Sequence, residues 1–156
     1  MRIHLIAIGQ RMPAWVRDGY AEYATRLPPE AELRLIEIPA EKRTRKANLS
    51  RIAESEAERL RMATPAKARV IALDGRGRLL DTPALAGRVA QWMQDGRDVA
   101  LWVGGPEGLT DRARKEAEFL WSLSPLTFPH PLVRVIVAEQ LYRAFSIMRN
   151  HPYHRD

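Results

Sequence analysis

The residues best suited to chemistry crowd into the last third of the 156-residue chain. His130 stands between Pro129 and Pro131, so its backbone is restricted and its ring is held out from a rigid loop. An imidazole there is placed to accept a proton near neutrality. The competing reading is a helix-start histidine making one backbone hydrogen bond. The tail, Asn150-His151-Pro152-Tyr153-His154-Arg155-Asp156, adds two histidines, a tyrosine and an arginine. Those types supply base stacking, phosphate contact and proton transfer, where a bland tail would simply fray. Three of the four histidines fall in this region, and no acidic cluster accompanies them, which argues against a shared metal.

Two glycine turns come next. Gly104-Gly105-Pro106-Glu107-Gly108 follows an apolar run. Ligands of open parallel sheets lie beyond the carboxyl ends of strands, and paired glycines let backbone approach them closely. A tight strand-to-helix connection explains the same residues. Asp74-Gly75-Arg76-Gly77 begins like a dinucleotide fingerprint, but Leu80 holds the third glycine's place and no Walker lysine follows any glycine turn. Its glycines are expected to serve a turn of positive φ. There is no G-x-S-x-G elbow for a hydrolase. The absence of cysteine excludes disulfides, thiol nucleophiles and cysteine-ligated zinc.

The elements that must carry these residues alternate from end to end. Apolar runs at Arg2–Ile8, Leu33–Ile38, Arg69–Leu73 and Asp98–Val103 read as strands, and a short fifth is expected around Leu126–Phe128. Trp15, Val16, Tyr20, Tyr23 and Leu27 recur at helical spacing after Pro13. Asn48 or Ser50 can cap a second helix, and Thr82-Pro83 reads as the cap and first turn of a third. A fourth helix is expected from about Thr110 to Trp121, and the last over Leu132–Arg149. The pattern is α/β with a mainly parallel sheet flanked by helices, in one domain over 1–156. Apolar residues cover more than one stripe of the last helix, which suits a core helix shared with a second copy of the chain.

Composition narrows the partners. Hydrophobic residues make up 46% and charged residues 28%, with a net charge of +6. Of the 25 basic residues, 21 are arginine, whose planar fork suits phosphate and bases. Lys42-Arg43-Thr44-Arg45-Lys46 places four cations within five positions, read as a solvated loop or a phosphate-steering one. No run approaches the roughly 20 apolar residues of a membrane helix, so no membrane partner and a cytoplasmic setting are expected.

Taken together, several motifs resemble one family. They are Gly9–Trp15, Ile36–Ala40, Gly104–Gly108, Leu123-Ser124 with Thr127–Arg134, Glu139–Ala144 and Asn150–Arg155, which span essentially the whole chain. In these the sequence resembles the RlmH (YbeA) family, SPOUT-class methyltransferases acting on N3 of a pseudouridine in 23S ribosomal RNA. Gly75-Arg76 lies outside the family pattern. The resemblance implies a SPOUT fold with a C-terminal deep trefoil knot, a homodimer, and S-adenosyl-L-methionine as methyl donor, leaving S-adenosyl-L-homocysteine. The implied target is helix 69 of 23S rRNA within the assembled ribosome. By position, the cofactor slot falls on Leu73, Gly104, Gly105, Leu123, Ser124, Pro125, Leu126, Thr127 and Phe128. His130, Arg134, Tyr153, His154 and Arg155 are the catalytic candidates, with the two arginines expected on phosphate or a base carbonyl. The alternative function is a non-catalytic ribosome- or RNA-binding factor using the same basic surface.

Overall fold

The computed structural model describes residues 1–155; Asp156, the end of the tail, lies outside the described residues. Five strands form one parallel sheet: β1 (Arg2–Ile8), β2 (Glu32–Ile38), β3 (Arg69–Leu79), β4 (Val99–Val103) and β5 (Phe119–Ser122), in the order β2-β1-β4-β3-β5. Alternation along the pleat divides the core in two. Ile3, Leu5 and Ala7 of β1, with Val99, Leu101 and Val103 of β4, face one layer of helices. Ile6, Ile8, Ala100 and Trp102 face the other.

The first layer holds α1 (Ala14–Ala24), α3 (Thr82–Asp95) and α5 (His130–Met148), with α5 packed against both of the others. Its Arg134, Val137, Ala138, Leu141, Ala144 and Phe145 form the buried stripe. Val135 meets Gly19 of α1, where an added Cβ would come within 3.3 Å of its methyl. The second layer holds α2 (Leu49–Ala63) and the short α4 (Asp111–Glu116). Burial between two neighbouring helices and the sheet thus accounts for most of the apolarity of α5. Among the described residues, no helix is long and apolar enough to cross a membrane.

Local chemistry sets the helix ends. Asn48 caps α2, its side chain accepting from the Arg51 amide at 3.2 Å. Asp81, not Thr82, caps α3 by accepting from the Ala84 amide at 2.8 Å, while Thr82 and Pro83 form its first turn. Gly96 closes α3 at φ 79, the left-handed region.

Two further readings are corrected, one of the region from α4 to β5 and one of the Gly75–Gly77 turn. The fourth helix stops at Glu116, and the fifth strand is Phe119–Ser122 rather than Leu126–Phe128. Arg112–Glu116 continues a helix-forming composition toward Trp121, but Phe119 and Leu120 gain more by pairing with Ile71 and Ala72. Leu126–Phe128, between Pro125 and Pro129, is loop. The second correction concerns Gly75 and Gly77, neither of which has positive φ. Here β3 leaves its partner after Leu73 and rejoins it at Arg78, with both residues opposite Trp121. Gly77 closes that excursion, so near the backbone of Leu120 that an added Cβ would lie 2.6 Å from its carbonyl carbon. The glycine is there for close approach.

Candidate active site

All five strands point the same way, so their carboxyl ends share one edge of the sheet. The loops leaving β3, β4 and β5 meet there around a cavity of about 290 Å³. Leu73 comes from the end of β3, Gly104 and Gly105 from the turn after β4, and Leu123 to Phe128 from the loop after β5. All nine residues assigned to the cofactor slot from the sequence therefore line one space. Its volume lies just below the usual range for small-molecule sites, roughly 300–1,000 Å³. Asp74 and Trp121 also line it. The sequence singles out neither, since its pattern puts Trp121 at the end of a helix and Asp74 in a turn. The signal for Asp74 was its position at the end of a strand.

Glycine is required at this edge for sterics. A Cβ on Gly104 would sit 2.9 Å from the backbone carbon of Gly108, and one on Gly105 would meet the Glu56 carboxylate at 2.8 Å. Gly108 adopts φ 75, and its amide donates to the Gly105 carbonyl at 2.9 Å. Asp74 is tied down by Arg114, whose Nε donates to Oδ2 at 2.7 Å, while Oδ1 accepts from the Arg76 amide. In the loop after β5, the Leu126 amide donates to the Ser124 hydroxyl at 3.0 Å, and Leu126 itself is 72% exposed. The cavity thus offers apolar walls, close backbone and hydroxyls, with no Gly-rich phosphate cradle. Those features fit an uncharged adenosine-like group.

The catalytic candidates do not converge within one chain. His130 opens α5 beside Gly9, whose added Cβ would lie 3.8 Å from its Nε2. Burial, then the positive charges of Arg134 and Arg43, push its imidazole below the ordinary value. The folded protein therefore favours the neutral ring, and any stability linked to this group is lost as pH falls through the ordinary histidine range near about 6.5. An NMR titration should place the His130 midpoint below that value; a midpoint above it would contradict the environment described.

Arg134 requires a correction. Read from the sequence as a ligand for phosphate or a base carbonyl, it is only 2% exposed. Its Nη1 donates to Glu37 Oε2 at 2.6 Å and its Nη2 to the Gly9 carbonyl at 2.8 Å. The guanidinium is spent on joining α5 to the ends of β1 and β2, which makes it a positioning group.

The tail folds onto α5 instead. Pro152–His154 forms a 3-10 turn, and the Tyr153 hydroxyl donates to Glu139 Oε1 at 3.0 Å. Its ring meets Tyr142 edge-on at 4.5 Å and lies under the Arg143 guanidinium. Burial and the Glu139 carboxylate push the Tyr153 hydroxyl up to about 12. Since Glu139 follows His130 by nine positions, the two lie about 14 Å apart along the helix axis. A groove bounded by Leu80, Thr82, Phe128, Ile136 and Gln140 runs beside the cavity. Thr82 and Gln140 also border a recess lined by Arg143 and His154. Among the described residues, the buried His154 Nδ1 has no hydrogen-bond partner, and Arg155 is exposed.

Comparison with known proteins agrees with this architecture. Residues 1–154 match the family described as "Predicted SPOUT methyltransferase". Ribosomal RNA large subunit methyltransferase H of Thioalkalivibrio sulfidiphilus is 62% identical over 156 residues, covering 100% of both chains. Among solved structures, a probable methylase family protein from Haemophilus influenzae superposes at TM-score 0.57 with 17% identity, over 97% of this chain and 69% of that one. A putative methyltransferase from Legionella pneumophila, solved with bound SAM, superposes at 0.50 with 12% identity, over 93% and 66%. At such identities the structural likeness speaks for the fold alone; the full-length identity speaks for the family. The chain is a methyltransferase of the SPOUT family, in the branch of the ribosomal RNA large subunit methyltransferase H proteins.

Proposed function

We propose that this chain methylates large-subunit ribosomal RNA, at N3 of a pseudouridine in helix 69 of 23S rRNA on the assembled ribosome. The observation that carries the reading is the cavity built from the loops after β3, β4 and β5 at the carboxyl edge of the sheet. S-adenosylmethionine, when bound there, supplies an electrophilic methyl group and leaves as S-adenosylhomocysteine. Leu73, Leu123 and Phe128 would enclose its adenosine, with the Gly104 backbone and the Ser124 and Thr127 hydroxyls as polar partners.

The remaining tasks fall to this chain's own side chains. N3 of pseudouridine is a weakly acidic imide, so the enzyme must align it and take or share its proton. His130, held neutral, is one acceptor, and His154, whose buried Nδ1 has no partner among the described residues, is the other. Tyr153 keeps its proton at neutral pH and serves to stack and donate. Arg155, exposed at the tail, meets phosphate. Because the tail lies along α5 and apart from the cavity of its own chain, the complete site is composite, one copy's tail serving its partner's cavity. Leu132 and Ile136, four apart on α5 and each only part-buried, are the natural start of that homodimer interface. The reading includes the deep trefoil knot around the cavity loops and a cytoplasmic setting.

The test is mass spectrometry of helix 69 RNA from ribosomes lacking the modification, before and after incubation with protein and S-adenosylmethionine. One added methyl on the pseudouridine is expected. Ribosome binding without any added methyl would overturn the reading and leave a non-catalytic binding factor. In the same assay, Tyr153→Ala with His154→Ala should lower turnover by about a hundredfold or more, the scale of lost proton-transfer groups.

A further inference from the structure

The loop between β2 and α2 looks like solvated surface by charge, and Lys42, Arg45 and Lys46 have no acidic partner among the described residues. Arg43 is different. Its Nε donates to Glu107 Oε2 at 2.9 Å, and its Nη1 and Nη2 reach the two oxygens of Glu56 at 3.2 and 2.9 Å. Nη1 also donates to the Glu41 carbonyl at 2.9 Å. Glu56, on α2, is 3% exposed. Glu107 sits at the tip of the turn whose Gly104, Gly105 and Gly108 line the cavity.

We propose that Arg43, gripping Glu56 and Glu107 together, is a positioning residue for the cofactor cavity: it fixes the Gly104–Gly108 turn from outside the cavity. The inference rests on the reading of that cavity as the cofactor site. Three observations carry it. The guanidinium fork holds one carboxylate on a rigid helix and one on the turn, which a point charge does less well. The Gly105 backbone lies directly on the pair, an added Cβ coming within 2.8 Å of Glu56 and 3.0 Å of Arg43. The turn itself closes on a single antiparallel bridge between Gly105 and Gly108. A turn so slight takes its place from what grips it, and Glu107 is the side chain gripped.

The neighbouring pair Arg59–Glu41 provides the comparison. It belongs to the same loop and α2, but it is more exposed and makes no contact with the turn.

Arg43→Met alone would leave Glu56 buried without its cation and risks unfolding. The informative variant is therefore Arg43→Met with Glu56→Gln, where the amide oxygen can still accept from the Glu41 backbone. Two readouts are needed. Calorimetric titration with S-adenosylhomocysteine should show affinity weakened by about tenfold or more, the scale on which lost positioning acts. Hydrogen exchange, with no ligand present, should show the Gly108 amide opening about tenfold faster or more, its closing bond no longer held in place. Arg43→Lys should recover part of both effects, and Arg59→Met should change neither. A folded double variant with wild-type affinity and wild-type Gly108 exchange would overturn the proposal. Failure of the wild-type protein to bind S-adenosylhomocysteine would overturn the cofactor reading instead, and the exchange comparison would then decide the clamp alone.

Discussion

Replacing Gly77 with valine is expected to unfold the cavity's outer wall. An added Cβ would stand 2.6 and 2.7 Å from the Leu120 carbonyl carbon and oxygen and 2.8 Å from the Trp121 nitrogen. All three are backbone atoms of β5, so no side chain can swing aside. Either β3 gives up its return at Arg78 and Leu79 or β5 moves away from the sheet. Both outcomes displace the loop of Leu123–Phe128. The loss should be about 2–4 kcal/mol, above the usual cost of overpacking because nothing nearby is flexible. That corresponds to a fall in Tm of roughly 5–15 °C for a chain of this length. Gly75→Ala is the control: nothing lies within 4 Å of its added Cβ, and its φ is not positive. Its stability should stay within about 0.5 kcal/mol of wild type. Equal urea midpoints for Gly77→Val and Gly75→Ala would show that β3 and β5 do not approach as described.

The second large effect belongs to Arg134→Met. Methionine replaces the aliphatic stem but removes both donors, leaving the Gly9 carbonyl unsatisfied and Glu37 without its cation. Glu37 is 36% exposed on its side chain, so water can recover it in part. The cost should therefore be about 2–4 kcal/mol, below the loss of a fully enclosed pair. Arg134→Lys should regain only part of it, since one ammonium cannot reproduce the two-ended fork. The replacement also removes one of the two cations bearing on His130, so the His130 titration midpoint should rise toward the ordinary value. An unchanged midpoint in a folded Arg134→Met protein would separate the two residues electrostatically and refute the coupling.

Much of this architecture was legible because it depends on local pattern. Ile3, Leu5 and Ala7 against Ile6 and Ile8 give β1 two apolar faces, which only a sheet covered on both sides can satisfy. The Gly104–Gly108 turn and the Pro-bounded loop before His130 were visible as residues that ordinary connections do not require, and the structure brings both to one edge. The boundary of β5 was hidden, since Arg112–Glu116 continues a helical composition almost up to the strand. The role of Gly77 was hidden too, because a single sequence does not distinguish positive φ from a close crossing of two backbones.

The sequence by itself determined the alternation of strands and helices, the absence of thiol and phosphate-loop chemistry, and the glycine turn at Gly104–Gly108. Each of these follows from residue types and short spacings; the other loops of the cavity came from the family resemblance. Only the tertiary structure decided how charge is used. Arg134 is enclosed beneath the ends of β1 and β2, and Arg43 bridges α2 to the Gly104–Gly108 turn, where the sequence suggested a ligand for phosphate or a base carbonyl and a solvated or phosphate-steering loop. It also set His130 about 14 Å along α5 from the partner of Tyr153. Whether an arginine meets solvent, phosphate or a buried carboxylate depends on groups far off in the chain, and spacing along the sequence carries no record of them.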